Sequence, residues 1–379
     1  FKCYSDANNG VPIASQERKM LDLLLPFIYI ILSCYLLKYA CDTFEQAAGY
    51  LGRNFPPGVK GATVNAIGSS MPEMFVVIAC LFWFDDPSLV MVALGVTAGS
   101  AIFNGCVIPA LSIIMAKDDD GKAVDHITLT KRVLLRDVFW VLIAEITLII
   151  FLGFTALTFW MAVVLNIIYF LYAVHLYVDA KNHDSGDDDE YEYEEIDDKG
   201  VIGNIFSFNF NALLFSNRAL TLTSALVVLS LAILVISGAS HILVVGVLGS
   251  ASVLGVPQFF AGLVFGAAAS SVPDLILSVK DAQKGEYEDA VANPLASNTF
   301  DTTVAFALPL IAWFLINGVD SIPIVNDGNL TILRWSIVGI TVAVAASLLF
   351  NYKKVTKNTA YFLLFLFAVW AASMYFVIQ

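Results

Sequence analysis

Long apolar stretches recur along almost the whole chain, separated by short polar connections. A stretch of about 20 apolar residues, wound as an α-helix, is long enough to cross about 30 Å of hydrocarbon. A membrane β-barrel would instead show alternating segments of about ten residues, so the pattern predicts helices. Ten spans are predicted, at residues 21–40, 58–84, 88–116, 133–153, 156–178, 219–248, 255–281, 287–316, 331–351 and 358–378.

The composition agrees with this pattern. The chain is 58% apolar and 14% charged, with a mean hydropathy of +0.77. Soluble domains carry roughly a quarter of charged residues, so a water-soluble fold is excluded. We predict an all-α polytopic membrane protein that is in contact with the lipid bilayer.

The formal net charge of −13 comes largely from one segment, because ten of the 33 acidic residues lie between 184 and 198. Such a run is typical of a solvated, disordered loop, and it lacks the ligand order of an EF-hand. We predict an acidic loop at 179–218. No binding of nucleic acid is expected.

The basic residues indicate an orientation. The chain begins at Phe1, and a removed secretory signal would put an extramembrane N-terminal segment, residues 1–20, on the extracytosolic side. Sixteen of the 20 Lys and Arg then lie in or beside the connections on the opposite side. Because basic residues concentrate on the cytosolic side, the acidic loop is predicted to be cytosolic. Either the plasma membrane or an organelle membrane would fit this multi-pass protein.

Two halves are predicted, at residues 21–178 and 219–379. Five spans precede the acidic loop and five follow it, so homologous halves would enter the membrane in opposite orientations. Their sequences match at two places. Gly68–Glu73 (GSSMPE) matches Ala269–Asp274 (ASSVPD), and Gly99–Asn104 (GSAIFN) matches Ala296–Asp301 (ASNTFD). The matches predict two inverted five-helix repeats.

Each half places one acidic residue in the middle of a span, Glu73 in the first and Asp274 in the second. An Asp at the centre of a membrane helix costs about 2.5–3.5 kcal/mol on insertion scales, so such residues usually serve a function. Pro72 and Pro273 each remove one helical hydrogen bond beside these acids. A protonated or paired contact between helices is the alternative, but its repetition in both halves favours a polar site inside the membrane.

The motifs supply carboxylate, hydroxyl and amide oxygens, which are the ligands that Ca2+ prefers, whereas no His or Cys within them suggests zinc or copper. Small residues in the second motif pair would also allow two helices to pack closely, which is the structural alternative. The candidate cation-binding residues are Ser69, Ser70, Glu73, Ser100, Asn104, Ser270, Ser271, Asp274, Ser297, Asn298 and Asp301.

Both repeats resemble the alpha-repeats of the cation/calcium exchanger superfamily, chiefly over residues 61–115 and 262–312. The segment Ala290–Asp301 (AVANPLASNTFD) resembles the potassium-dependent sodium/calcium exchangers in particular, in which an Asp closes this motif. Two departures concern the second half, where Ala269 and Ala296 stand at positions that the family usually fills with Gly. They leave the helix packing and ligand geometry open.

The resemblance implies a secondary active antiporter that exchanges Ca2+ for Na+ by alternating access, with these ions as substrates and no other cofactor. It implies that Glu73 and Asp274 bind Ca2+ together with Ser69 and Ser270. Na+ would be shared among the remaining polar positions, namely Ser70, Ser271, Ser100, Asn104, Ser297 and Asp301.

Charge counting adds a hypothesis about K+. If Glu73, Asp274 and Asp301 are all ionised, one Ca2+ balances only two of three negative charges, and a co-bound K+ would complete the balance. Exchange of Ca2+ for protons is the main alternative, because the same carboxylates could take up protons. A cation channel and an intramembrane hydrolase are weaker alternatives. The repeated hydroxyls are better explained as ligands than as parts of an enzyme.

Overall fold

The computed structural model describes residues 13–51, 53, 66–84, 86–118, 120–182, 197–324 and 328–378. Sixteen α-helices lie in these ranges. They are α1 (Ile13–Leu51), α2 (Ala66–Ser69), α3 (Met71–Ile78), α4 (Val90–Met115), α5 (Lys131–Phe151), α6 (Phe159–Asn182), α7 (Gly200–Phe206), α8 (Phe210–Phe215), α9 (Leu222–Leu254), α10 (Gln258–Ala261), α11 (Ala267–Ser270), α12 (Val272–Gln283), α13 (Tyr287–Phe300), α14 (Phe306–Asn317), α15 (Gly328–Asn351) and α16 (Lys357–Ile378).

The helices confirm the predicted class, an all-α polytopic membrane protein. Within the described ranges, seven helices are long and apolar enough to cross a membrane, and an eighth span results if the bent pair 258–270 and 272–283 is counted as one. The shorter apolar stretch Met71–Trp83 belongs to the predicted span 58–84, of which residues 58–65 lie outside the described part. The count of ten spans therefore stays a prediction.

Helix α1 is longer than the predicted span 21–40, because it begins at Ile13 and ends at Leu51. The part of α1 that follows residue 40 contains polar residues, so a search for apolar stretches does not recognise it as a continuation of the helix. Lys38 and Asp42 form an i, i+4 ion pair at 3.0 Å, and the Thr43 hydroxyl donates to the backbone carbonyl of Tyr39. Such local pairs let a helix continue beyond its apolar stretch.

Both acidic motifs begin a new helix after a break, as the prolines predict. The chain turns at Ser70 between α2 and α3, and at Ser271 between α11 and α12. Pro72 and Pro273 lie in the first turn of the following helix, where the missing N–H costs nothing. The second break bends its span by 41°.

Three π-helical segments and one 3-10 turn (Pro87–Leu89) interrupt the α-helices. The π-helices are Ala79–Trp83 after α3, Gly262–Gly266 before α11, and Asp301–Ala305 between α13 and α14. One of them starts at Asp301 itself. Single π-turns frequently occur at functional sites because they rotate the side chains that follow.

Two short antiparallel strand pairs connect the halves. Strand β1 (His126–Ile127), between α4 and α5, pairs with β4 (Val355–Thr356), between α15 and α16. Strand β2 (Ala156–Thr158), between α5 and α6, pairs with β3 (Ser321–Pro323), between α14 and α15. The two pairs lie at opposite ends of α5. In each pair, a connection of the first half pairs with a connection of the second half. Inverted halves would produce this arrangement, but the repeat relation itself stays a prediction.

The predicted acidic loop contains helices that the sequence reading missed. Residues 184–196 of the acidic run lie outside the described part, and helices α7 and α8 follow it. The Tyr35 hydroxyl of α1 donates to the carbonyl of Phe206 at 2.8 Å, and the Thr43 hydroxyl donates to the carbonyl of Phe208 at 2.9 Å. These contacts hold the segment containing α7 and α8 against α1.

Helix α4 lies at the centre of the molecule and packs against both acidic-motif helices of the second half, α11 and α12, and against α13 and α16. Most of its residues are buried. Gly95 and Gly99 face the second half so closely that a Cβ at either would overlap with a backbone carbonyl, that of Phe259 or Leu263. The small residues of the motif therefore do allow close packing, and the polar residues lie on the same helix.

Candidate cation-binding site

All eleven candidate residues are buried, each with at most 1% of its surface exposed. Four elements carry most of them: the turn into α3, helix α4, the turn into α12, and helix α13. Each half contributes one turn and one helix, so both halves build the site. The structure therefore brings into one region the residues that the two motif pairs predicted.

Ser100 lies at the centre of the first group of contacts. Its hydroxyl oxygen is 3.3 Å from Oε1 of Glu73, 3.1 Å from Oδ2 of Asp301, and 2.9 Å from the hydroxyl oxygen of Ser271. The hydroxyl of Ser271 lies a further 3.4 Å from the same Glu73 oxygen. Two carboxylates from different halves thus share the proton of one serine, with one neighbouring hydroxyl to assist.

Asp274 is at the centre of the second group. Its Oδ1 accepts a hydrogen bond from the Ser297 hydroxyl at 2.8 Å, and its Oδ2 accepts one from the Asn104 amide at 3.3 Å. The Ser69 hydroxyl also interacts with this carboxylate, as the Ser270 hydroxyl does with Glu73. A hydroxyl of each acidic motif therefore lies near the carboxylate of the opposite half.

The region has more acceptor atoms than donors. In the part of the chain that the structure describes, four acceptor oxygens of the site accept no close hydrogen bond; they are Glu73 Oε2, Asn104 Oδ1, Asn298 Oδ1 and Asp301 Oδ1, and the Ser70 hydroxyl lies near the Asp301 carboxylate. Buried polar atoms are normally paired, because an unpaired one costs roughly 1–3 kcal/mol. A bound cation is one partner that such buried acceptors can take.

The donor set fits a hard cation. It consists of carboxylate, hydroxyl and amide oxygens, and Ca2+ takes about six to eight of them at about 2.3–2.6 Å. Among the described residues, no three His, Cys, Asp or Glu side chains are placed to hold one metal ion. A cation here would therefore depend on neutral oxygens as much as on carboxylates.

Two predicted ligands also make structural contacts. The Ser270 hydroxyl donates to the carbonyl of Ala267 at 3.2 Å, one turn back in α11. The Asn298 amide donates to the carbonyl of Ala101 at 2.9 Å, so it joins α13 to α4. The hydroxyl oxygen of Ser270 and the side-chain carbonyl oxygen of Asn298 remain candidate ligands, although the protons of both side chains are donated to backbone carbonyls.

Asn293 was missed in the sequence reading. It is buried four residues before Ser297, on the same face of α13, and its amide donates to the Ser278 hydroxyl at 3.3 Å. Its Oδ1 has no partner among the described residues. The i, i+4 spacing from Ser297 was visible in the sequence and could have identified it.

Fold and site define a membrane protein with a buried cluster of carboxylate, hydroxyl and amide oxygens to which both helical halves contribute. The family model described as sodium/calcium exchanger protein matches residues 25–178 and 224–376, so the chain belongs to this family. The family consists of transporters, which confirms the prediction of an exchanger and not an enzyme, and of a multi-pass integral membrane protein.

Curated relatives match the chain over shorter stretches. Sodium/potassium/calcium exchanger 1 of Homo sapiens is 32% identical over 118 residues, which is 31% of this chain and 11% of that protein. Sodium/potassium/calcium exchanger Nckx30C of Drosophila melanogaster is 37% identical over 94 residues, which is 24% of this chain and 10% of that protein. The matches thus span about a tenth of these relatives.

Solved structures resemble the chain over nearly its full length. The sodium-calcium exchanger NCX_Mj has a TM-score of 0.55 at 20% identity, covering 93% of this chain and 99% of the other. The H+/Ca2+ exchanger CAX has a TM-score of 0.64 at 17% identity, covering 97% of this chain and 87% of the other. At such identities the likeness establishes the fold alone.

Proposed function

We propose that the protein exchanges Ca2+ for Na+ across a membrane by alternating access, with K+ carried together with Ca2+. One observation supports this most: three buried carboxylates, Glu73, Asp274 and Asp301, lie among serine hydroxyls and amide oxygens that both halves contribute. The curated relatives add support, because they are named sodium/potassium/calcium exchanger and match this chain over part of its length.

In this proposal Ca2+ binds between Glu73 and Asp274, with hydroxyls of Ser69 and Ser270 completing its oxygen shell. Two carboxylates balance the double charge of Ca2+. Na+ ions replace Ca2+ in the same region and use the remaining oxygens, those of Ser70, Ser271, Ser100, Asn104, Ser297 and Asp301. Because the two kinds of ion compete for shared ligands, only one can be carried in each direction.

Asp301 is the proposed determinant of K+ transport. Its carboxylate and that of Glu73 share the Ser100 hydroxyl, and neutral hydroxyl donors leave both negative charges in place. A monovalent cation beside them would remove the remaining repulsion. K+ bound together with Ca2+ therefore gives a charge balance that Ca2+ alone does not.

Protein reconstituted into vesicles tests the proposal when gradients of Na+, K+ and H+ are imposed one at a time. We expect Ca2+ uptake to follow an outward Na+ gradient at equal pH, and to increase when K+ is added on the Ca2+ side. Uptake that follows a pH gradient without Na+ would contradict the proposal and establish Ca2+/H+ exchange. Vesicles prepared with Glu73→Gln protein supply the control for leak.

A further inference from the structure

Four lysines lie together around the strand pair β1/β4, and we term this group the lysine patch. Lys131 begins α5, Lys353 and Lys354 lie in the turn after α15, and Lys357 begins α16. The first three are exposed and Lys357 is partly buried. The exchange cycle proposed above uses none of these residues.

Contacts between the two halves bring the lysine patch together. The ammonium groups of Lys131 and Lys353 lie 6.0 Å and 5.8 Å from the ring centre of Tyr352. The backbone N–H of Leu129 donates to the carbonyl of Tyr352 at 2.8 Å, and the Thr128 hydroxyl donates to the carbonyl of Lys353 at 3.3 Å. Lysines of the first and the second half therefore converge on one aromatic ring.

The protein does not balance the charges of the patch. In the part of the chain that the structure describes, no carboxylate forms an ion pair with any of the four lysines. Glu288 contacts the Thr130 hydroxyl instead, and Asp120 pairs with Lys122. Because like charges that converge without counterions repel each other, an anion bound among them is stabilised.

The lysine patch lies at the level of the lipid headgroups. One apolar span, Arg334–Asn351, ends just before the turn, and the next one begins at Lys357. Phe350, at the end of the first span, is 88% exposed, and Tyr361, one turn into α16, is 57% exposed. Exposed aromatic side chains at the ends of spans are typical of contact with the membrane interface. Lysines beside them place their apolar stems along the lipid and their ammonium groups among the headgroups.

The strand pair β2/β3, at the opposite end of α5, provides a contrast. Residues 152–158 and 318–324 form this pair and its flanks, and they contain no Lys or Arg and one acidic residue, Asp320. In the predicted orientation this pair is extracytosolic and the lysine patch is cytosolic. Anionic lipids concentrate in the cytosolic leaflet, so the basic strand pair is on the side where such lipids occur.

Helix stability does not explain where these lysines lie. Lys131 and Lys357 are in the first turns of α5 and α16, where the helix dipole disfavours a cation, and neither first turn contains an acidic residue. We propose that the lysine patch binds the headgroup of an anionic phospholipid, and that lysines of both halves share this one headgroup. The phosphate and any carboxylate of such a headgroup accept hydrogen bonds from the ammonium groups. A choline headgroup fits less well, because its own cation faces the lysines.

Native mass spectrometry of the purified full chain tests the proposal without any transport. The protein in detergent is titrated with phosphatidylserine or with phosphatidylcholine, and the affinity for the first bound lipid is measured. We expect tighter binding of phosphatidylserine. Lys353→Gln should weaken it by up to about fivefold, the effect expected for one lysine at a membrane surface, and should leave phosphatidylcholine binding unchanged. Lys353→Arg keeps the charge and should retain most of the affinity.

Lys122→Gln is the matched control, because this lysine is exposed in the connection before α5 but is already paired with Asp120. Its phosphatidylserine affinity should stay close to that of the wild type. Equal affinities of the wild type for the two lipids would overturn the proposal. Equal losses in Lys122→Gln and Lys353→Gln would overturn it as well, since they would indicate an effect of net charge without a local site.

The number of tightly bound lipids tests whether the two halves share one headgroup. We expect one tightly bound phosphatidylserine in the wild type, and a weaker affinity for that same lipid in both Lys131→Gln and Lys353→Gln. Two tightly bound lipids, of which each variant loses one, would overturn the sharing. Both lysines are exposed, and size-exclusion chromatography verifies that the variants are folded.

Discussion

Asn104 and Asp301 occupy equivalent places in the two halves and differ by one ionisable group. Asn104 donates an amide N–H to Asp274, so that carboxylate has a donor from the opposite half. Asp301 has no proton to give when ionised, and its carboxylate and that of Glu73 both contact the hydroxyl of Ser100. Asp274 therefore has a donor from the opposite half, whereas Glu73 and Asp301 form the pair of carboxylates at which the proposal places K+.

The largest effect is expected when the feature that both halves share is removed. Glu73→Gln and Asp274→Asn should each lower Na+-driven Ca2+ flux about 100-fold or more. Each loses a charged ligand, and even groups that only orient ligands affect metal affinity by about 10–100-fold. Radioactive calcium uptake into Na+-loaded vesicles measures this. Glu288→Gln, an exposed carboxylate outside the site, should transport normally.

If either variant kept nearly the wild-type flux, the two carboxylates would not have equivalent roles. That result would contradict the proposal that both halves contribute a Ca2+ ligand.

The close contact between the halves should be the next most sensitive feature. Gly99→Ala places a Cβ against the carbonyl of Leu263, and overpacking of this kind costs about 1–3 kcal/mol. We expect a lower yield of folded protein and a lower temperature of unfolding, as measured by size-exclusion chromatography after heating.

Gly105 is the matched control for that substitution, because it lies on the same helix and a Cβ there would have no neighbouring atom within 4 Å. Gly105→Ala should be at least as stable as the wild type, since Ala favours a helix more than Gly does. Equal losses of stability in the two variants would indicate that the contact with the second half is not responsible.

A smaller and more selective effect is expected when Asp301 is replaced by Asn, the residue found at the matching position 104. Asp301→Asn should preserve Na+-driven Ca2+ flux but abolish its increase with K+, because the third carboxylate is gone. Flux into vesicles, measured with and without K+ on the Ca2+ side, tests this. Flux that still rises with K+ in this variant would contradict the role of Asp301.

The double variant Asn104→Asp with Asp301→Asn sharpens the same comparison. It moves the carboxylate to the other half and keeps the charge of the site. If the charge balance alone determines K+ dependence, the response to K+ should return at least in part. If the environment of Ser100 is also required, the double variant should behave like Asp301→Asn.

Much of this site could be predicted from the sequence, because charge in an apolar span is conspicuous and the motifs occur twice. Glu73, Asp274 and Asp301 were found in this way, and the breaks at Ser70 and Ser271 followed from the prolines beside them. The family resemblance then indicated the ions. The assignment of single ions to single residues stays a prediction.

Other features could not be predicted because they depend on contacts between distant segments. The sharing of one serine by two carboxylates results from the crossing of α4 with the second half. Helices α7 and α8 are too short to produce a clear periodic pattern. Glu145 belongs to neither motif pair, and only the structure reveals that it is buried beside a cavity.

The two strand pairs restrict the relative movement of the connections that they join. Each pair ties a connection of one half to a connection of the other, at opposite ends of α5. Sliding of one half past the other would have to shear these ladders. Helices α1 and α9 pack along each other and end in no described strand. Under the proposed alternating access, we expect α1 and α9 to shift more readily than the helices that the strand pairs connect.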